Sequence, residues 1–191
     1  PLHTWPVFVN GLHEEKGQAY SLALACVHLP RVEWIVRHKI GNGKMPSEAT
    51  NKATRRQWRE LGFFYSRDDS TKVWELRGSK TGLLRFRDEL LAYSADPRYK
   101  VKAEHEHYGP YAYLKVMTWP ETSIDQRTIR GPLGELARLA GIIETKLADA
   151  EPNSVIRIRE EFAKDSPYSI VLSIQEDGFD PASADPRLPP I

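Results

Sequence analysis

Two stretches of the chain carry apolar residues at helical spacing, and each follows a short run with strand character. In Thr81 to Tyr93, Leu83, Phe86 and Leu90 recur at intervals of three and four, the stripe of a helix that lays one face on a core. Leu133 to Leu147 repeats this with Leu136, Leu139 and Ile143. Val73-Trp74-Glu75-Leu76-Arg77-Gly78 leads into the first stretch and Arg127-Thr128-Ile129-Arg130-Gly131 into the second. Placing Gly78 on Gly131 sets Leu76 on Ile129, Leu83 on Leu136, Phe86 on Leu139 and Leu90 on Ile143. The apolar positions coincide, which is the mark of an internal repeat.

A turn follows each helix, at Ala95-Asp96-Pro97 and at Glu151-Pro152-Asn153, where proline and short polar residues stop the helical ladder. Two strand-like segments come next in each half: Tyr99 to Tyr108 with Ala112 to Met117, and Val155 to Phe162 with Ser169 to Ile174. The last alternates, with Ile170, Leu172 and Ile174 on one side. Pro110-Tyr111 and Pro167-Tyr168 precede the closing strands, and the second hairpin loop is longer by about four residues. Upstream, Thr54 to Leu61 reads as a helix capped by Thr54 and stopped by Gly62. Phe63 to Arg67 and Lys72 to Leu76 form a hairpin around the polar turn Asp68 to Thr71. The pattern predicts an α+β fold of tandem strand-helix-strand-strand repeats, with copies at about 72–118 and 125–175. Its mainly antiparallel sheet, continuous or split in two, carries the two helices on one face.

Residues 45–182 form the predicted domain. Residues 1–44 have a different texture and read as an N-terminal extension, or as a subdomain with a strand at Pro6 to Val9; Met45 is the first methionine and a candidate translation start. Residues 183–191 form a proline-rich tail with little capacity for regular structure. The longest apolar run, Tyr20 to Leu29, falls short of the roughly 18 residues of a membrane helix, so no membrane association is expected. A single cysteine, Cys26, excludes an internal disulfide and fits a reducing, cytoplasmic setting.

With 27 basic and 26 acidic side chains the net charge is +1, so no global field draws the chain to a polyanion. Local clusters carry the chemistry instead. In Glu104-His105-Glu106-His107-Tyr108, strand alternation puts both histidines on one face and both glutamates on the other. His105 and His107 are candidate metal ligands that need a third from elsewhere; a solvated strand face is the simpler account. With Tyr108, Tyr111 and Tyr113, and Trp119 beyond, the hairpin offers rigid aromatic area for a protein partner or for ordinary packing. Gly41-Asn42-Gly43-Lys44 lacks phosphate-loop spacing. Arg55, Arg56 and Arg59 are candidate phosphate contacts interrupted by Trp58 and Glu60. No catalytic motif is present, and no catalytic residue or cofactor is assigned.

Trp58-Arg-Glu-Leu-Gly-Phe-Phe-Tyr65, Trp74-Glu-Leu-Arg-Gly-Ser79 with Gly82-Leu83, Glu104-His-Glu-His-Tyr-Gly-Pro-Tyr111 and Gly178-Phe-Asp-Pro181 together resemble small uncharacterised bacterial proteins that are similar to immunity proteins of polymorphic toxin systems. The resemblance spans about residues 55–182. It implies a non-enzymatic protein that binds and occludes a cognate toxin, with Glu104, His105, Glu106, His107, Tyr108, Tyr111 and Tyr113 as the candidate binding surface. Residues 45–191 hold 23 acidic against 22 basic side chains, so any charge match to a toxin is local, at Glu104, Glu106, Glu160 and Glu161. The alternatives are a metal-dependent enzyme built on His105 and His107 and a nucleic-acid-binding module built on Arg55, Arg56 and Arg59.

Overall fold

The computed structural model describes residues 46–190; the extension, Cys26, the Gly41–Lys44 turn and Met45 lie outside the described residues. The first helix, α1 (Glu48–Leu61), begins earlier than the expected Thr54 because the Ser47 hydroxyl accepts from Thr50 N–H at 3.1 Å and Glu48 favours the first turn. It ends at Gly62, whose φ of 88° is the left-handed conformation that closes a helix. A hairpin follows, β1 (Phe64–Asp68) and β2 (Val73–Ser79), with Asp68 accepting from both Ser70 and Thr71 in the turn. Ser79 caps α2 (Lys80–Ala95) by accepting from Gly82 N–H.

Asp96 and Pro97 convert the start of the expected long strand into a 3₁₀ turn at Pro97–Lys100, with Asp96 accepting from Arg98 N–H. Only His105–Tyr108 remains as β3, paired antiparallel with β4 (Leu114–Thr118). A short hairpin comes next, β5 (Ser123–Ile124) and β6 (Ile129–Gly131), closed by Asp125 accepting from Arg127 and Thr128 N–H; β6 is the strand expected at Arg127 to Gly131, and β5 is its unforeseen partner. Helix α3 (Leu133–Ala148) leads to the last hairpin, β7 (Val155–Ile158) and β8 (Ser169–Gln175).

The strands form two four-stranded sheets, ordered β1-β2-β8-β7 and β3-β4-β6-β5. Each is two antiparallel hairpins joined by one parallel pair, β2 with β8 and β4 with β6. Both halves of the chain run hairpin, helix, hairpin, and each sheet takes one hairpin from each half. In the two parallel pairs, Leu76 lies opposite Leu172 and Ile129 opposite Val116, while Gly78 lies opposite Ile174 and Gly131 opposite Thr118. α2 packs on β2 and β8, α3 packs on β6, and the helices pack on each other.

The helical stripes lie in the core. Leu83, Phe86, Leu90, Leu136, Leu139 and Ile143 are fully buried, and burying each such side chain stabilises the fold by roughly 1.5–3 kcal/mol. β8 is buried on both faces, since Ser169, Val171 and Ser173 join Ile170, Leu172 and Ile174 out of solvent. Its second face lies under polar side chains: Ser173 donates to Glu75 at 2.7 Å, and Arg157 donates to Ser169. A central strand has neighbours on both edges, so alternation alone understated its burial.

The C-terminal tail departs most from expectation. Pro181–Ala184 form a 3₁₀ turn capped by Asp180, the turn packs on α1, and Asp185 is 5% exposed. Asp96-Pro97 and Asp180-Pro181 place a capping carboxylate just before a proline at the first helical position. That local signal outweighs the general tendency of proline to oppose order.

The tightest backbone approach lies where α1 ends against α2. A Cβ added at Gly82 would stand 2.1 Å from the Gly62 carbonyl oxygen, whereas one at Gly141 on α3 meets nothing within 4 Å. Gly82→Ala is expected to cost about 1–3 kcal/mol through overpacking, and Gly141→Ala to gain about 0.5–1 kcal/mol from helix propensity. Denaturant midpoints of the two variants are the check; equal and favourable effects would show that the Gly62 turn yields.

Candidate functional site

β3 is an edge strand, and three of its four residues, His105, Glu106 and His107, are exposed. It is held in place from behind. Tyr93 of α2 stacks on Tyr99 at 4.0 Å and donates to the Glu104 carbonyl at 2.7 Å. Thr118 donates to the Tyr99 carbonyl at 2.6 Å, and its backbone N–H donates to the Glu104 carbonyl. At the other end of β3, the Tyr65 hydroxyl donates to the Tyr108 carbonyl at 2.7 Å and accepts from Tyr113 N–H at 3.2 Å. Gly109, at φ 75°, lets the loop pass the Tyr65 ring: a Cβ there would fall 2.7 Å from that ring.

The predicted alternation holds. His105 and His107 share one face, with ring centroids 5.0 Å apart. On the opposite side the Glu106 carboxylate accepts from the Tyr99 hydroxyl. That bond, more than burial, pushes the Tyr99 phenol up to about 12. Glu89 on α2 is raised chiefly by burial, with Glu106 and Asp88 adding repulsion. Glu104 is exposed, and Tyr108, at 7% exposed, belongs to the core.

Tyr111 and Tyr113 emerge from the β3–β4 loop as a stacked pair, 5.9 Å apart with ring planes at 29°. Tyr113 is 55% exposed. The Arg187 guanidinium lies over both rings, at 4.6 Å and 5.3 Å, close enough for cation–π attraction. Asp185 joins this shelf to the core by accepting from the Tyr111 hydroxyl at 2.7 Å and from the indole N–H of buried Trp58 at 2.8 Å. Burial, then the bond to Asp185, raises the Tyr111 phenol. Beyond β4, Trp119 has Lys102 at 4.4 Å and Arg130 at 5.6 Å from its ring.

The structure therefore brings six of the seven predicted surface residues to one edge and loop, and adds Asp185 and Arg187 from the tail. Those two carried no periodic signal; the only trace was the Asp185-Pro186 pair. Arg55, Arg56 and Arg59 line a different surface, a groove of about 800 Å³ shared with Arg85 and Glu60. Their guanidinium groups have internal partners. Arg59 clamps Asp180 with bonds of 2.7 and 3.1 Å, Arg55 donates to the Pro189 carbonyl, and Arg56 lies 3.6 Å from Glu60.

Among the described residues no helix is long and apolar enough to cross a membrane, and no group of three or more His, Cys, Asp or Glu side chains is placed to hold a metal. Comparison of the chain with protein families, curated proteins and solved structures finds no match.

Two outcomes follow from this geometry. The bonded form of Tyr99 is the neutral phenol, so its contribution to stability is complete below an ordinary phenol pKa near 10 and is lost as pH rises toward about 12. Glu106→Ala is expected to return Tyr99 ionisation toward 10, read from the Tyr99 ¹³Cζ shift. Asp185→Ala leaves the buried Trp58 indole N–H and the part-buried Tyr111 hydroxyl without their acceptor and is expected to cost about 1–3 kcal/mol of unfolding free energy, with Tyr111 ionising at lower pH than in the wild type. An unchanged denaturant midpoint would show that the tail contributes nothing to the shelf's support.

Proposed function

We propose that this protein is a non-enzymatic binding protein that engages a protein partner through the Tyr111–Tyr113 shelf and the adjoining edge of β3. Following the resemblance to immunity proteins, the partner is a cognate bacterial toxin neutralised by direct binding. The observation that carries the reading is the exposed, braced aromatic pair: Tyr113 stacks on Tyr111, Arg187 covers both, and Asp185 fixes the assembly to Trp58. Tyrosine and arginine dominate interface hot spots. A side chain already held in one conformation gives up little entropy on binding. Glu104 and Glu106, exposed along the same strand edge, supply acidic groups for a basic partner surface.

The test begins with capture of partners by the full chain from the native organism, followed by purification of the retained polypeptide and calorimetric titration. Tyr113→Ala and Arg187→Ala are each expected to weaken binding by about 30-fold, the ~2 kcal/mol of a hot-spot residue. Gly141→Ala, on α3, leaves affinity unchanged. Equal affinity for all variants counts against the shelf, and the lack of a stoichiometric partner counts against the binding reading itself.

A further inference from the structure

The two histidines of β3 share an arrangement that partner binding does not require. His105 Nδ1 lies 3.0 Å from the carbonyl oxygen of Ala103, and His107 Nδ1 lies 2.6 Å from that of Ala112. A carbonyl oxygen only accepts, so each Nδ1 carries the proton, and in the neutral ring Nε2 is left as the acceptor. Both rings thus hold the tautomer that presents Nε2 outward, and both side chains are exposed on one face of an edge strand.

The backbone that sets this up is itself unusual. Ala103 has φ 73° and Ala112 has φ 53°, a left-handed conformation that costs alanine energy and is usual for glycine. Each of these alanines supplies the carbonyl that orients one histidine. An N–H held by a backbone carbonyl is also the standard support for a histidine that ligates metal through its other nitrogen. The ring centroids stand 5.0 Å apart with their planes at 78°, near enough for one ion bound at ~2.0–2.1 Å from each Nε2.

From this geometry we propose that His105 and His107 form a two-imidazole site for a late first-row divalent transition metal, with Cu(II) preferred over Ni(II) and Zn(II). No third His, Cys, Asp or Glu stands with them among the described residues, so the ion keeps open positions for water or an added ligand. The cross-strand neighbours on the same face are Met117, opposite His105, which offers a thioether, and Lys115, opposite His107, whose ammonium must turn aside for a cation to bind. The proposal goes beyond the partner reading and does not rest on it: the metal alone is the ligand.

The chain has six histidines, and the other four, His3, His13, His28 and His38, lie outside the described residues. The experiment is therefore a comparison. Full-length wild type, H105Q, H107Q and H105Q/H107Q are titrated with Cu(II), followed by calorimetry and electron paramagnetic resonance. Glutamine keeps a donor for the carbonyl while removing the imidazole. Wild type is expected to bind one more equivalent than H105Q/H107Q, with superhyperfine splitting from two equatorial imidazole nitrogens. Each single variant should weaken that equivalent by at least ~10-fold, since loss even of a supporting group costs about 10–100-fold. Equal stoichiometry and affinity in wild type and H105Q/H107Q overturn the site, as does a wild-type signal with one imidazole nitrogen. A readout that needs no variant guards against misfolding: Cu(II) should broaden the His105, His107 and Met117 resonances of the wild type, and sharp lines there at saturation overturn the proposal equally.

Discussion

The parallel pairing of β2 with β8 ties residue 73 to residue 169, and everything between must fold back for the two strands to meet. Parallel neighbours need a crossover, never a tight turn, and here the crossover contains the entire second sheet. The β4–β6 pair does the same across a shorter connection. Each half of the chain therefore lends one hairpin to each sheet, and neither sheet is complete within one half. The two helices pack on one another between these commitments, so core and topology form together. Pairings this distant in sequence carry a high loop-closure cost before they yield contacts.

Support for the surface flows from that core through a small set of polar bonds. Trp58 is 1% exposed and packs on Phe64, Tyr65 and Tyr111, yet its indole N–H needs an acceptor. Asp185 supplies one, and the same oxygen accepts from Tyr111. A carboxylate withdrawn from water is tolerated because its oxygens are bonded. Arg59 and Asp180 add a bidentate pair outside it, the geometry in which a surface ion pair is worth most. Of the arginines of α1 that in the sequence suggest contact with phosphate, Arg55 and Arg59 hold the tail and Arg56 pairs with Glu60 on its own helix. Tyr65 plays the matching role on the other side of the hairpin, bridging β1 in the first sheet to the β3–β4 loop in the second.

The result is an edge strand and loop with little freedom. Edge strands expose unpaired backbone groups and invite association; this one is short, charged and flanked by left-handed residues at Ala103 and Ala112. Its two faces are chemically separate. Glutamates and the raised tyrosine phenols occupy the side toward α2, where Glu106 bonds Tyr99. Imidazoles occupy the other side, oriented by backbone carbonyls. Rigid aromatic area, local acidity and oriented histidines thus meet within one short segment, and each is fixed by atoms from a different element.

What the sequence determined by itself was periodic or local. The stripes Leu83-Phe86-Leu90 and Leu136-Leu139-Ile143 defined both helices and the face each one buries, because a helix must bury one face wherever it lies. The alternation of His105 and His107 against Glu104 and Glu106 followed from strand geometry, and Gly62 marked the end of α1 because its left-handed φ suits glycine. Tertiary structure decided the rest. The exchange of hairpins between sheets depends on pairings nearly a hundred residues apart, which no local pattern encodes. β5 was too short to show a period, and Tyr108 turned inward while Tyr113 turned out although Tyr65 holds the backbone of both. Asp185 and Arg187 read as tail until Trp58 and Tyr111 stood beside them, since the worth of a buried carboxylate is set by the donors that the fold delivers to it.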